Sequence, residues 1–111
     1  MGLTITADDG TLRLFDVVVW CLQRYCGYSE EDAVDAVNKF YERFRGRYDD
    51  EYYHHQAPYR VAMLIYYVDK LSGTPDDFIP WLLSSDYRRE PPDPEYVEYF
   101  RKHYWQGHLY R

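Results

Sequence analysis

The sequence predicts an all-α fold: a compact single domain of four to five helices that spans residues 1–111. Three observations support this prediction. Four cap-like starts, at Thr11, Ser29, Thr74 and Asp93, each precede apolar residues at helical spacing. A chain of 111 residues, 46% of them hydrophobic, is long enough for one core and too short for a second of ordinary size. No segment repeats at a fixed period, and four or five helices joined by loops of two to ten residues are typical of a compact all-α domain.

The N-terminal region is predicted as an arm followed by the central helix. Residues 3–6 alternate between apolar and polar, so a short extended arm fits here. The first helix is predicted from about Leu12 to Cys26, with Asp9 or Thr11 as its cap and Gly27 as a left-handed C-terminal cap. The β-branched run 17–19 favours a strand, but the length of the segment and its terminal glycine favour a helix. Its apolar stripe is wide enough for the centre of the domain.

The second helix is the most clearly marked element. Ser29 is its predicted N-cap, and three carboxylates in the first turn complement the helix dipole. Arginines 43, 45 and 47 are placed at its carboxyl end, where positive charge is favourable. The predicted buried face consists of Ala33, Val34, Val37, Phe40, Tyr41 and Phe44.

Three further helices are predicted in the second half of the chain. The third runs from Pro58 to about Leu71, and Gly73 ends it. The fourth follows Thr74 and is short because Pro80 interrupts it. The fifth follows Asp93 and reaches about Trp105, with Val97, Phe100 and Tyr104 facing inward. The third helix is expected to bury Val61, Leu64, Ile65, Val68 and Leu71.

Composition excludes several functional classes. The formal net charge of -6 argues against general nucleic-acid binding, which requires a basic surface. No apolar run approaches the roughly 20 residues that cross a bilayer, so no membrane association is expected. Cys21 and Cys26 have neither redox nor zinc spacing and are predicted to be reduced thiols, which indicates a cytoplasmic protein. Glycine-rich phosphate loops and serine-nucleophile motifs are absent, so we predict no catalytic residues and no cofactor.

Tyrosine is unusually abundant, with 14 residues, and many lie beside carboxylates. Tyrosine rings supply buried area at protein interfaces, and carboxylates steer a basic partner. The polar segment between the second and third helices and the loop before the fifth both have this composition without apolar periodicity. The candidate partner-binding residues are therefore Tyr48, Asp49, Asp50, Glu51, Tyr52, Tyr53, Tyr87, Tyr96 and Tyr99.

A metal site is the alternative interpretation of the same segment. Glu51 and His55 are four residues apart, so a helix places them on one face. Carboxylate and imidazole are common ligands of transition metals. The weak candidate ligands are Glu51, His54 and His55.

These features indicate a small acidic protein-binding module whose partner is another protein, expected to be basic. In size and composition, though in no specific motif, the chain resembles the immunity proteins and antitoxins of bacterial toxin systems. That resemblance implies a neutralising role. The first alternative is a structural or adaptor subunit that self-associates into a homo-oligomer through its aromatic surface. The second is a metal-binding protein or enzyme that uses Glu51, His54 and His55.

Overall fold

The computed structural model describes residues 2–105, except for the side chain of Trp105. Within that range the fold is all-α, as predicted, and contains no strand. The aromatic C-terminal tail beyond residue 105 lies outside the described residues. Residues 2–105 contain six helices in chain order: α1 (Asp9–Cys26), α2 (Glu30–Arg43), α3 (Asp50–His54), α4 (Pro58–Lys70), α5 (Phe78–Ser84) and α6 (Pro94–Phe100). A 3₁₀ turn, Pro75–Asp77, precedes α5, and a π-helical turn, Arg101–Trp105, follows α6.

The predicted N-terminal arm is present and lies against α2. Residues 2–8 have no regular secondary structure, and the Ile5 side chain is buried in the core. The backbone N–H of Thr4 donates to Asn38 Oδ1 at 3.1 Å, and Asn38 Nδ2 donates to the carbonyl of Gly2 at 3.3 Å. The side chain of Asn38 on α2 therefore pairs with one backbone donor and one backbone acceptor of the arm, as a neighbouring strand would.

α1 is the central helix and starts earlier than predicted. Its cap is Asp8, whose carboxylate accepts the N–H of Thr11 at 2.8 Å, so the helix begins at Asp9. Gly27 has φ 76° and ends the helix as predicted. α1 packs against α2, α3 and α4, which is why its apolar stripe is wide. The whole run 17–19 is buried.

α2 and α4 flank α1, and their buried faces largely match the prediction. Ser29 caps α2, which ends at Arg43, so arginines 45 and 47 lie beyond the helix. The predicted core positions Val37, Phe40, Val61, Leu64 and Ile65 are all buried. Two expectations for α4 are wrong: Val68 is only half-buried, and Leu71, which follows the last helical residue, is 45% exposed.

Pro80 does not interrupt the helix that contains it. It lies in the first turn of α5, where proline is tolerated because the N–H groups of that turn have no intrahelical acceptor. α5 buries Phe78 and Leu82 but exposes Ile79 and Leu83. The prediction of a short apolar helix is confirmed, although its apolar residues divide between core and surface.

α6 packs through a different face from the predicted one. Tyr96 is buried, whereas Val97 and Phe100 are half-buried; Tyr104, in the π-helical turn, is buried as predicted. The Tyr96 hydroxyl accepts the backbone N–H of Tyr59 at 3.2 Å, which is one of the unpaired donors at the start of α4. Both parts of the Tyr96 side chain therefore have a structural role, because the ring fills the core and the hydroxyl accepts a backbone hydrogen bond.

Candidate functional site

The polar segment after α2 folds as α3 and is anchored by Tyr53. Asp49 caps this helix by accepting the N–H of Tyr52 at 2.9 Å. The Tyr53 side chain is fully buried, and its ring centroid lies 4.9 Å from that of Phe15 in an edge-to-face contact. The expectation that Tyr53 contacts a partner is therefore wrong. An isolated aromatic ring in a short helix has no apolar periodicity to mark it as core.

Asp50 also has a structural position. Its Oδ1 accepts the Tyr41 hydroxyl at 2.8 Å, and its Oδ2 accepts the backbone N–H of Asp8 at 2.9 Å. Burial, together with the hydrogen bond to Asp50, raises the pKa of Tyr41 to about 12. Asp49 therefore caps the first turn of α3, and Asp50 joins α3 to α2 and to the N-terminal arm. Their negative charge still faces solvent, but their oxygens already hold donors of this chain.

Tyr48 and Tyr52 form the exposed aromatic part of this segment. Their rings stack with centroids 4.3 Å apart, and both side chains are half-buried. The Tyr48 hydroxyl accepts a hydrogen bond from Arg47 Nε at 3.1 Å, and Arg47 also pairs with Asp76 at 2.8 Å. This pair joins the end of α2 to the 3₁₀ turn before α5.

A cavity of about 170 Å³ opens beside the stacked tyrosines. α5 forms its opposite wall through Ile79, which is 45% exposed, and Leu83 lies one turn further along the same side of α5 with 63% exposure. We call the surface formed by Tyr48, Tyr52, Ile79, Leu83 and this cavity the α3–α5 face. The cavity is lined by Tyr48, Tyr52, Gln56, Arg60, Val61, Leu64, Pro75, Phe78 and Ile79.

The chain segments that form this face carry most of the net charge. Residues 47–60 and 75–86 contain six carboxylates and two arginines, a formal excess of four negative charges out of the net -6. Glu51 and Asp76 are among the exposed carboxylates, at 74% and 81% of their side chains. The face therefore combines exposed apolar area with an acidic surround.

The three candidate tyrosines from the second stretch lie in different places. Tyr96 is buried, so its assignment as a contact residue is wrong. Tyr87 is half-buried, with its ring 6.0 Å from that of Trp81 on α5. Tyr99 stacks on Trp20 with ring centroids 4.4 Å apart. The predicted set is therefore divided between core and surface. One continuous segment with exposed or half-buried side chains is formed by Tyr48, Asp49, Asp50, Glu51 and Tyr52.

The structure pairs two of the three candidate metal ligands, Glu51 and His55, but places His54 against a different carboxylate. His54 Nε2 lies 3.0 Å from Asp8 Oδ1, whereas His55 Nε2 lies 2.8 Å from Glu51 Oε2. Burial raises the pKa of the Asp8 carboxyl, but hydrogen bonds from His54 and Thr11 outweigh it and hold that pKa below its usual value. Among the described residues, no three histidine, cysteine, aspartate or glutamate side chains form a group that could hold a metal ion.

The two cysteines are free thiols, as predicted. Cys21 is buried, and burial raises the pKa of Cys26 to about 12. A thiol with so high a pKa is protonated at neutral pH and is a poor nucleophile.

The α5 side of the face, formed by Ile79 and Leu83, was not predicted from the sequence. Ile79 and Leu83 stand four residues apart in an apolar stretch, which is equally the pattern of a buried helix. No local signal separates the two cases, because α5 is short and its exposed side is set by the way it packs on α4.

The fold and the site together define a small all-α domain with an acidic, aromatic and partly apolar surface. Among residues 2–105, no helix has the length and apolar character needed to cross a bilayer. No family model matches this chain, and no curated protein or solved structure is significantly similar to it.

Proposed function

We propose that this chain is a protein-binding module that docks a basic partner protein through the α3–α5 face. The observation that carries the proposal is the exposure of Ile79 and Leu83 beside a cavity with a stacked tyrosine pair. Single exposed apolar side chains are ordinary, but an apolar and aromatic patch around a concavity is typical of a protein-interaction site.

The charge of the face supports a basic partner. Four excess negative charges in the segments around the cavity attract a positively charged surface and accelerate its approach. The same charges disfavour nucleic acid. Glu51 is well placed for this role because its side chain is 74% exposed and pairs only with His55 among the described residues.

Two classes of residue in the face would contribute to binding in different ways. The complex would be stabilised by removing apolar and aromatic surface from water. The side chains that supply this surface are Tyr48, Tyr52, Ile79 and Leu83. The carboxylates would set the rate of association and its dependence on salt. A neutraliser of the immunity-protein or antitoxin type is the role we infer for such a module, because size, charge and the lack of a catalytic motif agree with it.

The test begins with capture of partners from the native host and continues with one purified basic partner. Ile79→Asp places a charge in the face and should weaken binding by a factor of about ten or more. Leu71→Asp is the matched control because Leu71 has the same 45% exposure but lies outside the face. Equal binding by both variants would contradict the proposal.

Kinetics on the same pair separate the two classes of residue. Glu51→Gln should slow association and reduce its salt dependence, because it removes an exposed charge. Tyr52→Ala should accelerate dissociation. The expected loss of binding free energy is about 2 kcal/mol, as for an interface anchor residue. A partner whose association does not depend on salt would not be the basic protein proposed here.

Self-association is the second candidate, and the 63% exposure of Leu83 favours it. A homodimer through the α3–α5 face would bury this side chain without any other protein. Sedimentation of the purified chain distinguishes the candidates: a dimer that Ile79→Asp converts to a monomer, while Leu71→Asp does not, would assign the face to a second copy.

A further inference from the structure

Arg47 lies at the edge of the α3–α5 face and makes three contacts there. Its Nε donates to the Tyr48 hydroxyl at 3.1 Å, one of its terminal nitrogens is 2.8 Å from Asp76 Oδ1, and its guanidinium carbon is 5.5 Å from the centroid of the Tyr48 ring. The Arg47 and Asp76 side chains are 47% and 81% exposed. A carboxylate, a phenolic oxygen and an aromatic ring thus surround one guanidinium at a position open to solvent.

Arg47 differs from Arg45, which also lies near a carboxylate and an aromatic ring, in how far along the chain its ionic partner lies. Arg45 lies just beyond α2 and pairs with Glu42, three residues earlier in the last turn of that helix, at the longer distance of 3.5 Å, and its guanidinium carbon is 5.6 Å from the centroid of the Tyr41 ring. Arg47 instead reaches Asp76, which is 29 residues away in the chain. The site it occupies is therefore built from two segments, the end of α2 and the turn before α5.

We propose that this edge is a binding site for an arginine side chain of the partner, and that Arg47 fills it until the partner displaces it. The inference rests on the proposed function and names the chemistry that the face selects. A planar guanidinium pairs with a carboxylate and lies over an aromatic ring, which a lysine ammonium does less well. An exposed ion pair is weak, so one guanidinium exchanges readily for another.

The cavity next to this edge indicates which residue would lie beside the arginine of the partner. Its volume of about 170 Å³ and its walls, which include Leu64, Phe78 and Ile79, suit one large apolar side chain. Tyr48 borders both the cavity and the arginine site. The partner segment therefore carries an arginine next to a large apolar residue. Arg47 lowers the apparent affinity for this segment, because the site can bind it only in the fraction of molecules in which Arg47 has left the site.

The test uses two blocked pentapeptides, acetyl-Gly-Gly-Arg-Leu-Gly-amide and the same peptide with lysine in place of arginine. Each is titrated into the isotopically labelled protein and followed by amide chemical shifts. The arginine peptide should bind Arg47→Ala about fivefold more tightly than the unchanged protein, because one ion pair and one ring contact no longer compete. The shifts should concentrate at residues 48, 76 and 79.

Arg45→Ala is the matched control because it removes the same charge two residues away. Its effect on affinity should stay below about twofold, as expected for a screened charge outside the site. Adding Asp76→Asn to Arg47→Ala should abolish the gain, and the lysine peptide should gain less than the arginine peptide. The amide spectra of the free variants show directly whether each is folded.

Every other outcome overturns the inference. Equal gains for Arg47→Ala and Arg45→Ala would mean that only net charge matters, and weaker binding to Arg47→Ala would make Arg47 a positioning residue. If the arginine peptide binds the face and the Arg47 variant changes nothing, the inference is wrong and the proposed function stands. If no variant binds the peptide at residues 48, 76 and 79, the arginine site does not exist, and only the partner experiment with Ile79→Asp then decides the proposed function.

Discussion

Tyr53 and Tyr52 are neighbours in the chain with opposite environments. Tyr53 points into the core, where it contacts Phe15 and Tyr41, whereas Tyr52 stacks on Tyr48 at the surface. The amphipathic character of tyrosine permits both, so composition alone does not assign either. The assignment follows from α3, because adjacent residues on a helix point about 100° apart.

Substitution at Tyr53 tests its position in the core. The buried hydroxyl makes no hydrogen bond with any described residue, so Tyr53→Phe should leave the free energy of unfolding unchanged or raise it by up to about 1 kcal/mol. Tyr53→Ala should lower it by about 3–5 kcal/mol because it leaves a cavity. Urea denaturation measures both, with Tyr52→Ala as a half-buried comparison that should cost less than half as much. A large loss in Tyr53→Phe would reveal a partner for the hydroxyl.

At the scale of the elements, the starts of α2, α4 and α6 were predicted correctly, whereas α1 begins three residues before the predicted Leu12. Ser29 and Asp93 cap α2 and α6 as predicted, because a cap is a hydrogen bond to a residue three positions later. α4 ends differently. Ser72 takes the left-handed conformation, φ 60°, where the sequence suggested Gly73. Gly73 is needed for a different reason, since the Tyr67 ring occupies the space that a side chain there would fill.

This turn yields a paired prediction. Gly73→Ala should lower the free energy of unfolding by about 1–3 kcal/mol, because the added methyl group meets the Tyr67 ring. Ser72→Gly should raise it by about 0.5 kcal/mol, because glycine adopts positive φ without strain. Thermal or urea denaturation of the two variants gives both signs in one experiment. If Ser72→Gly proved the more destabilising of the two, the turn would be assigned wrongly.

At the scale of the whole molecule, the tyrosines that pack the core make the fold sensitive to alkali. Burial is the main cause that raises the pKa of Tyr53, Tyr59 and Tyr96 above the ordinary value of 10.0. The folded chain keeps these protons where the unfolded chain releases them. Their contribution to stability is therefore complete below pH 10 and is lost as the pH rises through the folded-state values.

The expected result is cooperative unfolding above about pH 10, with each buried tyrosine reducing stability by about 1.4 kcal/mol per pH unit. Helix content from circular dichroism and tyrosinate absorbance should change together. Tyr53→Phe removes one titrating group and should make the decline shallower. Complete ionisation of the tyrosines near pH 10 with unchanged helix content would contradict the burial described here.

The fold class, the caps of α2 and α6 and the buried faces of α1 and α2 could all be predicted from the order of the amino acids alone. These features depend on hydrogen bonds and apolar spacing within a few residues, which any reader of the chain can recognise. Which tyrosines are buried, and which surface is left exposed, depends instead on how the helices pack in three dimensions. The contact of Phe15 with Tyr53 and the pair of Arg47 with Asp76 join residues about 30 to 40 positions apart. No local pattern encodes such contacts, because they arise only when separate helices pack against one another.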